Sequence, residues 1–210
     1  MAHKHDRVSV LLDRVAGGDQ HAIHELFEIY RDRLRQMITL RLDAKLARRI
    51  DASDVIQEAL INAAERLPQY VETRPIQFYP WLWQIASERL IDAKRRHGAL
   101  KRDVKRECEL PLTDDSINQF AAHFASGSKN AVSNELERQE NKVHVQVAMQ
   151  GLSAISQQIL CMRYMEGMKN NEIADALSMT VSAVKSQHSR ALTKLGAALR
   201  NAEIGGGHSE

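Results

Sequence analysis

Asn171-Glu-Ile-Ala-Asp-Ala-Leu-Ser-Met-Thr-Val-Ser-Ala-Val-Lys-Ser-Gln-His-Ser-Arg-Ala-Leu-Thr-Lys-Leu195 holds two helical patterns with almost nothing between them. Ile173, Ala174 and Leu177 recur at helical spacing on the first, and Val184, Ala191 and Leu195 on the second. Two amphipathic helices joined by so short a turn have the spacing of a helix-turn-helix. Ala174 is small enough for a close crossing, and the Thr180 hydroxyl can cap the second helix. Around its apolar positions the second helix shows Ser182, Lys185, Ser186, Gln187, His188, Ser189, Arg190 and Lys194, without one acidic residue. Hydroxyl and amide groups can reach base edges, while Lys185, Arg190 and Lys194 can neutralise phosphates. The alternative is a solvated polar face, but solvated faces usually mix both signs of charge. The tandem spacing favours DNA.

The same period extends through the chain. Apolar residues make up 43% and charged residues 27%, with only 10 glycines and 4 prolines. Apolar residues recur at three-and-four spacing with almost no alternating runs, so an all-α fold is expected. Val8 to Ala16 reads as a short helix stopped by Gly17-Gly18, and Asp19 is a suitable N-cap for the next. Ala22, Ile23, Leu26, Phe27, Tyr30, Leu34, Met37, Ile38 and Leu42 form one stripe on that helix. Asp51 or Ser53 can cap a third helix, which Pro68 is expected to end, leaving Gln69 to Gln77 as a loop. Pro80 opens a fourth, with Trp81, Leu82, Ile85, Ala86, Leu90 and Ile91 inward. From Gly98 to about Ser133 the periodicity fades into polar and small residues. These boundaries predict a helical domain over 8–97, a flexible linker over 98–134 and a smaller domain over 135–200 that contains the helix-turn-helix.

Net charge is only +2, but it is unevenly spread. Between Arg89 and Arg106 eight basic residues, Lys94, Arg95 and Arg96 among them, face two aspartates for a net of +6. A segment of this charge attracts a phosphate backbone with an affinity that falls as salt rises. It can equally be a solvated helix end whose cations suit the helix dipole. Tyr70, Phe78, Tyr79, Trp81 and Trp83 stand just before it, and aromatics beside cations suit unpaired bases. Spacing with Leu82 and Ile85 puts Trp81 in the core and leaves Tyr79 and Trp83 for the exposed side.

At this point the order of features resembles extracytoplasmic-function (ECF) sigma factors of the sigma-70 superfamily, over about residues 8–97 and 135–200. Asp51-Ala-Ser-Asp-Val-Ile-Gln-Glu is similar to the family's segment that docks on the β′ clamp helices of core RNA polymerase. The resemblance makes Asp54, Gln57 and Glu58 the contacts, and their spacing puts them on one helical face. Phe78-Tyr-Pro-Trp-Leu-Trp-Gln-Ile-Ala and Arg89-Leu-Ile-Asp-Ala-Lys-Arg-Arg resemble the promoter-melting, minus-ten-reading segment. There the loop after Leu67 and the aromatics Tyr70, Phe78, Tyr79 and Trp83 would capture a flipped base. Lys94, Arg95 and Arg96 would hold backbone. Leu152-Ser-Ala-Ile-Ser-Gln-Gln and Gly167-Met-Lys-Asn-Asn-Glu-Ile-Ala through Ser189-Arg-Ala resemble the domain that reads the minus-thirty-five element as duplex. The implied partners are core polymerase (β′ clamp helices and β flap), promoter DNA both duplex and melted, and an anti-sigma factor. The implied role is promoter-specific initiation with no chemistry of its own.

The chain departs from the family pattern at several points. Glu88 stands where asparagine is usual, and the stretch from Leu67 to Trp81 is slightly longer than usual. Ser178 replaces a turn glycine, Ala183 a common threonine, and Lys169 a capping serine for which Asn170 can substitute. Two other classes remain open beside the sigma factor: a free-standing helix-turn-helix regulator, and a helical protein-binding adaptor. An enzyme is disfavoured. His21 and His24 share a face without a third ligand, no phosphate loop or nucleophile motif occurs, and no metal or cofactor is expected. Cys108 and Cys161 lie far apart without ligand spacing, and Cys161 is expected in the core. No run approaches the ~20 apolar residues of a membrane span, so a cytoplasmic location without membrane insertion is expected.

Overall fold

The computed structural model describes residues 2–42, 47–96, 114–127 and 135–205, and every regular element among them is helical. The elements are α1 (Ala2–Ala16), α2 (Gln20–Thr39), α3 (Ala52–Thr73), α4 (Phe78–Arg96), α5 (Asp114–Gly127), α6 (Glu135–Gln150), α7 (Ala154–Tyr164), α8 (Asn170–Ala176) and α9 (Val181–Gly205). The chain divides into two compact units, Met1–Val104 and Lys105–Glu210. Lys101, Arg102, Lys105, Arg106, Cys108 and the tail from 206 lie outside the described residues.

In the first unit the caps are the ones the residues allow. The Asp19 carboxylate accepts from the backbone N–H groups of His21 and Ala22 at 2.9 and 3.2 Å, and Asp51 accepts from Ser53 N at 2.7 Å. The Arg14 guanidinium, 2.7 Å from Asp19, holds that carboxyl below its usual range. Pro68 does not end α3. The helix runs five residues beyond it to Thr73, and the turn before α4 is only residues 74–77. An internal proline costs roughly 3 kcal/mol of helix propensity. The continuation is held by Tyr70, which is buried, packs against Phe78 and Trp81, and donates from its hydroxyl to Ile76 O at 2.9 Å. That burial outweighs the local preference.

The aromatic residues make the core of this unit. Phe27 and Tyr30 of α2, Tyr70 of α3 and Phe78 of α4 lie with ring centroids 5.5 to 6.5 Å apart. Tyr79 stacks on Tyr30 at 5.3 Å, with the Arg33 guanidinium 3.6 Å over its ring. Because α4 packs against both α2 and α3, its buried arc is wider than one stripe. It takes in Phe78, Tyr79, Leu82, Trp83, Ile85, Ala86 and Leu90.

The second unit corrects the expected linker. Residues 114–127, placed inside it by their polar flanks, form α5, and Ile117, Phe120 and Ala121 enter one core with Val145, Met149, Leu152, Leu160, Ala191 and Leu195. Ile117, Phe120, Ala121 and Phe124 carry the helical period, and Asp114 and Asp115 suit a helix N-terminus. The period was masked because only these few apolar positions stand between Thr113-Asp-Asp-Ser and Ser126-Gly-Ser. Cys161 is fully buried, and His21 and His24 are exposed. Among the described residues no helix is long and apolar enough to cross a membrane.

Helix α8 ends in a Schellman arrangement, with Ser178 N donating to Asp175 O at 3.3 Å and Met179 N to Ala174 O at 2.8 Å. This geometry requires positive φ at Ser178, where the angle is 53°. A serine there carries strain that a glycine would not, of order 1 kcal/mol. At the other end of α8 the N-cap is Lys169, whose ammonium has no lone pair, so half a capping box remains: the Glu172 carboxylate accepts from Lys169 N at 2.8 Å. Asn170 is the first helical residue and does not take the capping position.

Candidate docking and nucleic-acid surfaces

Three surfaces arise from these elements. On α3 the buried side is Val55, Ile56, Ala59, Leu60, Ala63 and Leu67. The opposite side presents Asp54 and Gln57 exposed and Glu58 half-buried, so the three expected docking residues share one accessible face. At about 100° per residue, Ile61 falls between Asp54 and Gln57 and Glu65 between Asp54 and Glu58 in angle. Ile61 is 54% exposed, and Glu65 is exposed. Sequence reading missed Ile61 because an isoleucine within an apolar-rich helix reads as core; its register against Asp54 and Gln57 was the available signal. The face is thus an aliphatic residue ringed by three carboxylates and an amide.

The aromatic and basic segment on α4 differs from expectation. Tyr70, Phe78, Tyr79 and Trp83 are all buried, Tyr79 and Trp83 to 2% and 4% exposure. Trp81, expected in the core, is the half-buried one, at the outer end of the stack with its ring 4.4 Å from Tyr70 and 5.5 Å from Phe78. The inversion follows from the packing of α4 on two helices: the ring at the edge of the wide buried arc is the one left accessible. Lys94 is also buried, at 6% exposure, so its stem serves the core and its ammonium is not open to a backbone.

Arg95 and Arg96 are exposed but engaged. Arg95 lies 3.7 Å from Asp92, whose other partner is Arg89 at 3.0 Å. Arg96 Nη2 donates to both Glu58 oxygens at 2.9 and 3.2 Å. A second pair crosses the same seam: Arg66 on α3 meets Glu88 on α4 at 3.1 Å. The two pairs are eight residues apart on each helix and run in opposite order, so they register an antiparallel contact. Glu88 is therefore matched by a guanidinium, which offsets the repulsion a lone carboxylate would exert on a phosphate.

In the second unit, α8 and α9 pack against each other across residues 177–180. Ile173, Ala174, Ala176, Val184, Ala191 and Leu195 are buried between them and their neighbours. Thr180 Oγ1 accepts from Ala183 N at 3.1 Å, so this hydroxyl is committed to capping α9. Ser182, Lys185, Ser186 and Ser189 are exposed within an arc of about 100°. Exposed Arg190 and Lys194 flank it on one side. Gln187 instead turns partly inward, its Oε1 3.5 Å from Ser156 Oγ on α7. Of the eight expected residues, six stand free for contact and two have structural partners.

His188, next to this face, stacks on Tyr164 with ring centroids 5.7 Å apart, and its Nε2 lies 3.2 Å from the Tyr164 hydroxyl. Tyr164 in turn meets Phe120 of α5 edge-on at 6.2 Å. Burial, with Arg163 nearby, holds the imidazole below its ordinary pKa of 6.5. A depressed histidine contributes stability that is complete above its unfolded value and is lost as pH falls toward the folded one. The second unit is accordingly expected to lose stability below about pH 6.5, and His188→Gln to flatten that dependence. Parallel melting curves of the two proteins across pH 7.5 to 5 check this, and identical slopes would discount it.

Among the described residues no group of three or more histidine, cysteine or acidic side chains is placed to hold a metal ion.

Comparison with known proteins bears on the whole arrangement. The family profile described as ECF sigma factor matches residues 5–201. SigD of Mycobacterium tuberculosis, named an ECF RNA polymerase sigma factor, is 24% identical over 195 residues, which cover 93% of this chain and 85% of SigD. SigW of Bacillus subtilis, similarly named, is 26% identical over 90% of this chain and 95% of its own. RfaY of Xanthomonas campestris is 29% identical over 140 residues, 67% of this chain but only 32% of that longer protein. Among solved structures, CnrH in complex with the cytosolic domain of CnrY shares the fold at a TM-score of 0.56 and 21% identity, covering 93% of this chain and 99% of CnrH. With the profile spanning both units and SigD and SigW aligned over most of their own lengths, the chain belongs to the ECF sigma factor family.

Proposed function

We propose that this chain is a promoter-specificity subunit without catalysis of its own, working on a core RNA polymerase in the cytoplasm. The α3 face docks on the β′ clamp helices, the α4 segment holds the separated strand at the minus-ten element, and α8–α9 act as a helix-turn-helix on the minus-thirty-five duplex. The observation that carries the reading is the α3 face, where Asp54, Gln57, Glu58 and Glu65 surround an exposed Ile61. Exposed aliphatic surface ringed by carboxylates suits a basic helix with an apolar centre, and such apolar centres supply most of the energy of an interface. At the strand-holding site the stacking role passes from Tyr79 and Trp83 to Trp81, the one accessible ring of the cluster. CnrH was solved in complex with the cytosolic domain of CnrY, which supports a protein partner for this chain also; the family resemblance makes that partner an anti-sigma factor.

Core binding tests the reading. The triple change Asp54→Ala, Gln57→Ala, Glu58→Ala is expected to weaken co-elution with core polymerase at least tenfold, and Ile61→Ala alone about fivefold, given roughly 1 kcal/mol for the half of the side chain still to be buried. Val10→Ala on α1, 59% exposed, is the control and is expected to change nothing. Absence of core binding by the unmodified chain, together with tight binding of duplex DNA alone, would instead establish a free-standing regulator.

A further inference from the structure

One contact joins two surfaces that the proposed function uses separately. Glu58 belongs to the docking face of α3, and Arg96 is the last residue of α4, at the end assigned to the DNA backbone. In the isolated chain they are bonded to each other at 2.9 and 3.2 Å. Neither can serve its external partner fully while it serves the other. A carboxylate that accepts from Arg96 is withheld from a basic docking helix, and a guanidinium held by Glu58 is withheld from phosphate. Arg95, the neighbouring exposed cation, lies against Asp92 on its own helix. The Arg66–Glu88 pair lies on the same seam but touches neither Asp54 nor Gln57, so it can keep the helices in register while Glu58–Arg96 opens.

We infer that the Glu58–Arg96 pair is an exchangeable latch that couples polymerase docking to DNA holding. Docking draws Glu58 away and frees Arg96 for phosphate. Linkage makes the effect reciprocal, so DNA on Arg96 favours docking through Glu58 by the same factor. The coupling cannot exceed the strength of the pair. Both side chains are about half exposed, and exposed pairs contribute little, so the factor is about twofold to fivefold at low salt and smaller at high salt. That suffices to bias the free chain against binding DNA before it meets polymerase. The latch rests on the proposed roles of α3 and α4, and its test separates the two.

The measurement is fluorescence anisotropy of a short labelled single-stranded oligodeoxynucleotide of mixed sequence, titrated at low salt with the full chain without polymerase. E58Q opens the latch and removes one negative charge. D54N removes the same charge from the same face but leaves the latch closed, so it controls for bulk electrostatics. E58Q is expected to bind about twofold to fivefold more tightly than D54N, and R96Q in the E58Q background to abolish that gain. Equal affinities of E58Q and D54N would overturn the latch. If R96Q weakens binding to the same extent with and without E58Q, Arg96 touches DNA but is not gated, and the latch alone fails. If R96Q changes nothing in either background, the assignment of α4's end to DNA fails, and the latch with it.

Discussion

Replacing Phe120 with alanine is expected to destabilise the second unit by about 3–5 kcal/mol, the cost of truncating a fully enclosed phenylalanine. The ring has no exposed surface, sits among Ile117, Val145, Met149 and Leu160, and meets Tyr164 edge-on. Such a loss is a large part of the 5–15 kcal/mol that ordinarily holds a domain folded. Both tryptophans, Trp81 and Trp83, lie in the first unit, which makes the test clean. In a urea titration, tryptophan fluorescence follows the first unit and far-ultraviolet circular dichroism follows both. The substitution is expected to bring forward only the dichroism component that fluorescence does not see. An unshifted dichroism curve would mean that α5 contributes nothing to the second unit, and that the whole of residues 98–134 is linker after all. Because Tyr164 carries the contact on to His188 beside the α9 face, the same substitution is also expected to loosen DNA binding by that helix.

The second large effect is electrostatic. Changing Lys185, Arg190 and Lys194 to glutamine removes three exposed cations from α9. If each neutralises one phosphate, the slope of log affinity against log salt falls by about 0.9 for each, between 2 and 3 in all, and affinity at 0.1 M salt falls by roughly a hundredfold or more. The assay is titration of a duplex selected for binding by the wild-type polymerase complex, across a series of salt concentrations. Surface changes of this kind leave folding almost untouched, so melting temperature serves as the control. An unchanged slope would show that α9 presents these residues to solvent and not to DNA. Changing Ser182, Ser186 and Ser189 to alanine is the complement: discrimination between duplexes is expected to narrow while the slope stays as it was.

Local chemistry explains why some features were legible in residues alone. Asp19, Asp51 and Thr180 cap helices because a short side chain at the right position meets backbone N–H groups two or three residues ahead, a requirement that involves no other element. The α3 face was legible for the same reason: Asp54, Gln57 and Glu58 are neighbours on any helix that includes them. Ser178 has the positive φ that a turn glycine would take without strain, which is the reason the resemblance leads to a glycine at that place. Three readings failed where a second element intervened. Pro68 reads locally as a stop, but Tyr70 gains more from Phe78 and Trp81 than the helix loses at the proline. Residues 114–127 read as linker because their apolar positions are few, and Phe120 finds its surroundings in the cluster with α6, α7 and α9. The aromatic roles of Trp81 and of Tyr79 and Trp83 are exchanged in the fold because a single apolar stripe does not describe a helix that is covered on two sides.

By itself, then, the sequence determined helical content, most caps, the face of α3 and the acid-free surface of α9, because each depends on periodicity or on contacts within a few residues. Only the tertiary structure decided which aromatic ring stays accessible, that Lys94 is buried, that α5 belongs to a core, and that Glu58 and Arg96 hold one another. Those outcomes depend on residues far apart in the chain, such as Ile117 and Leu195 in one core, and on how many neighbours each helix has. No reading along a single helix contains that information.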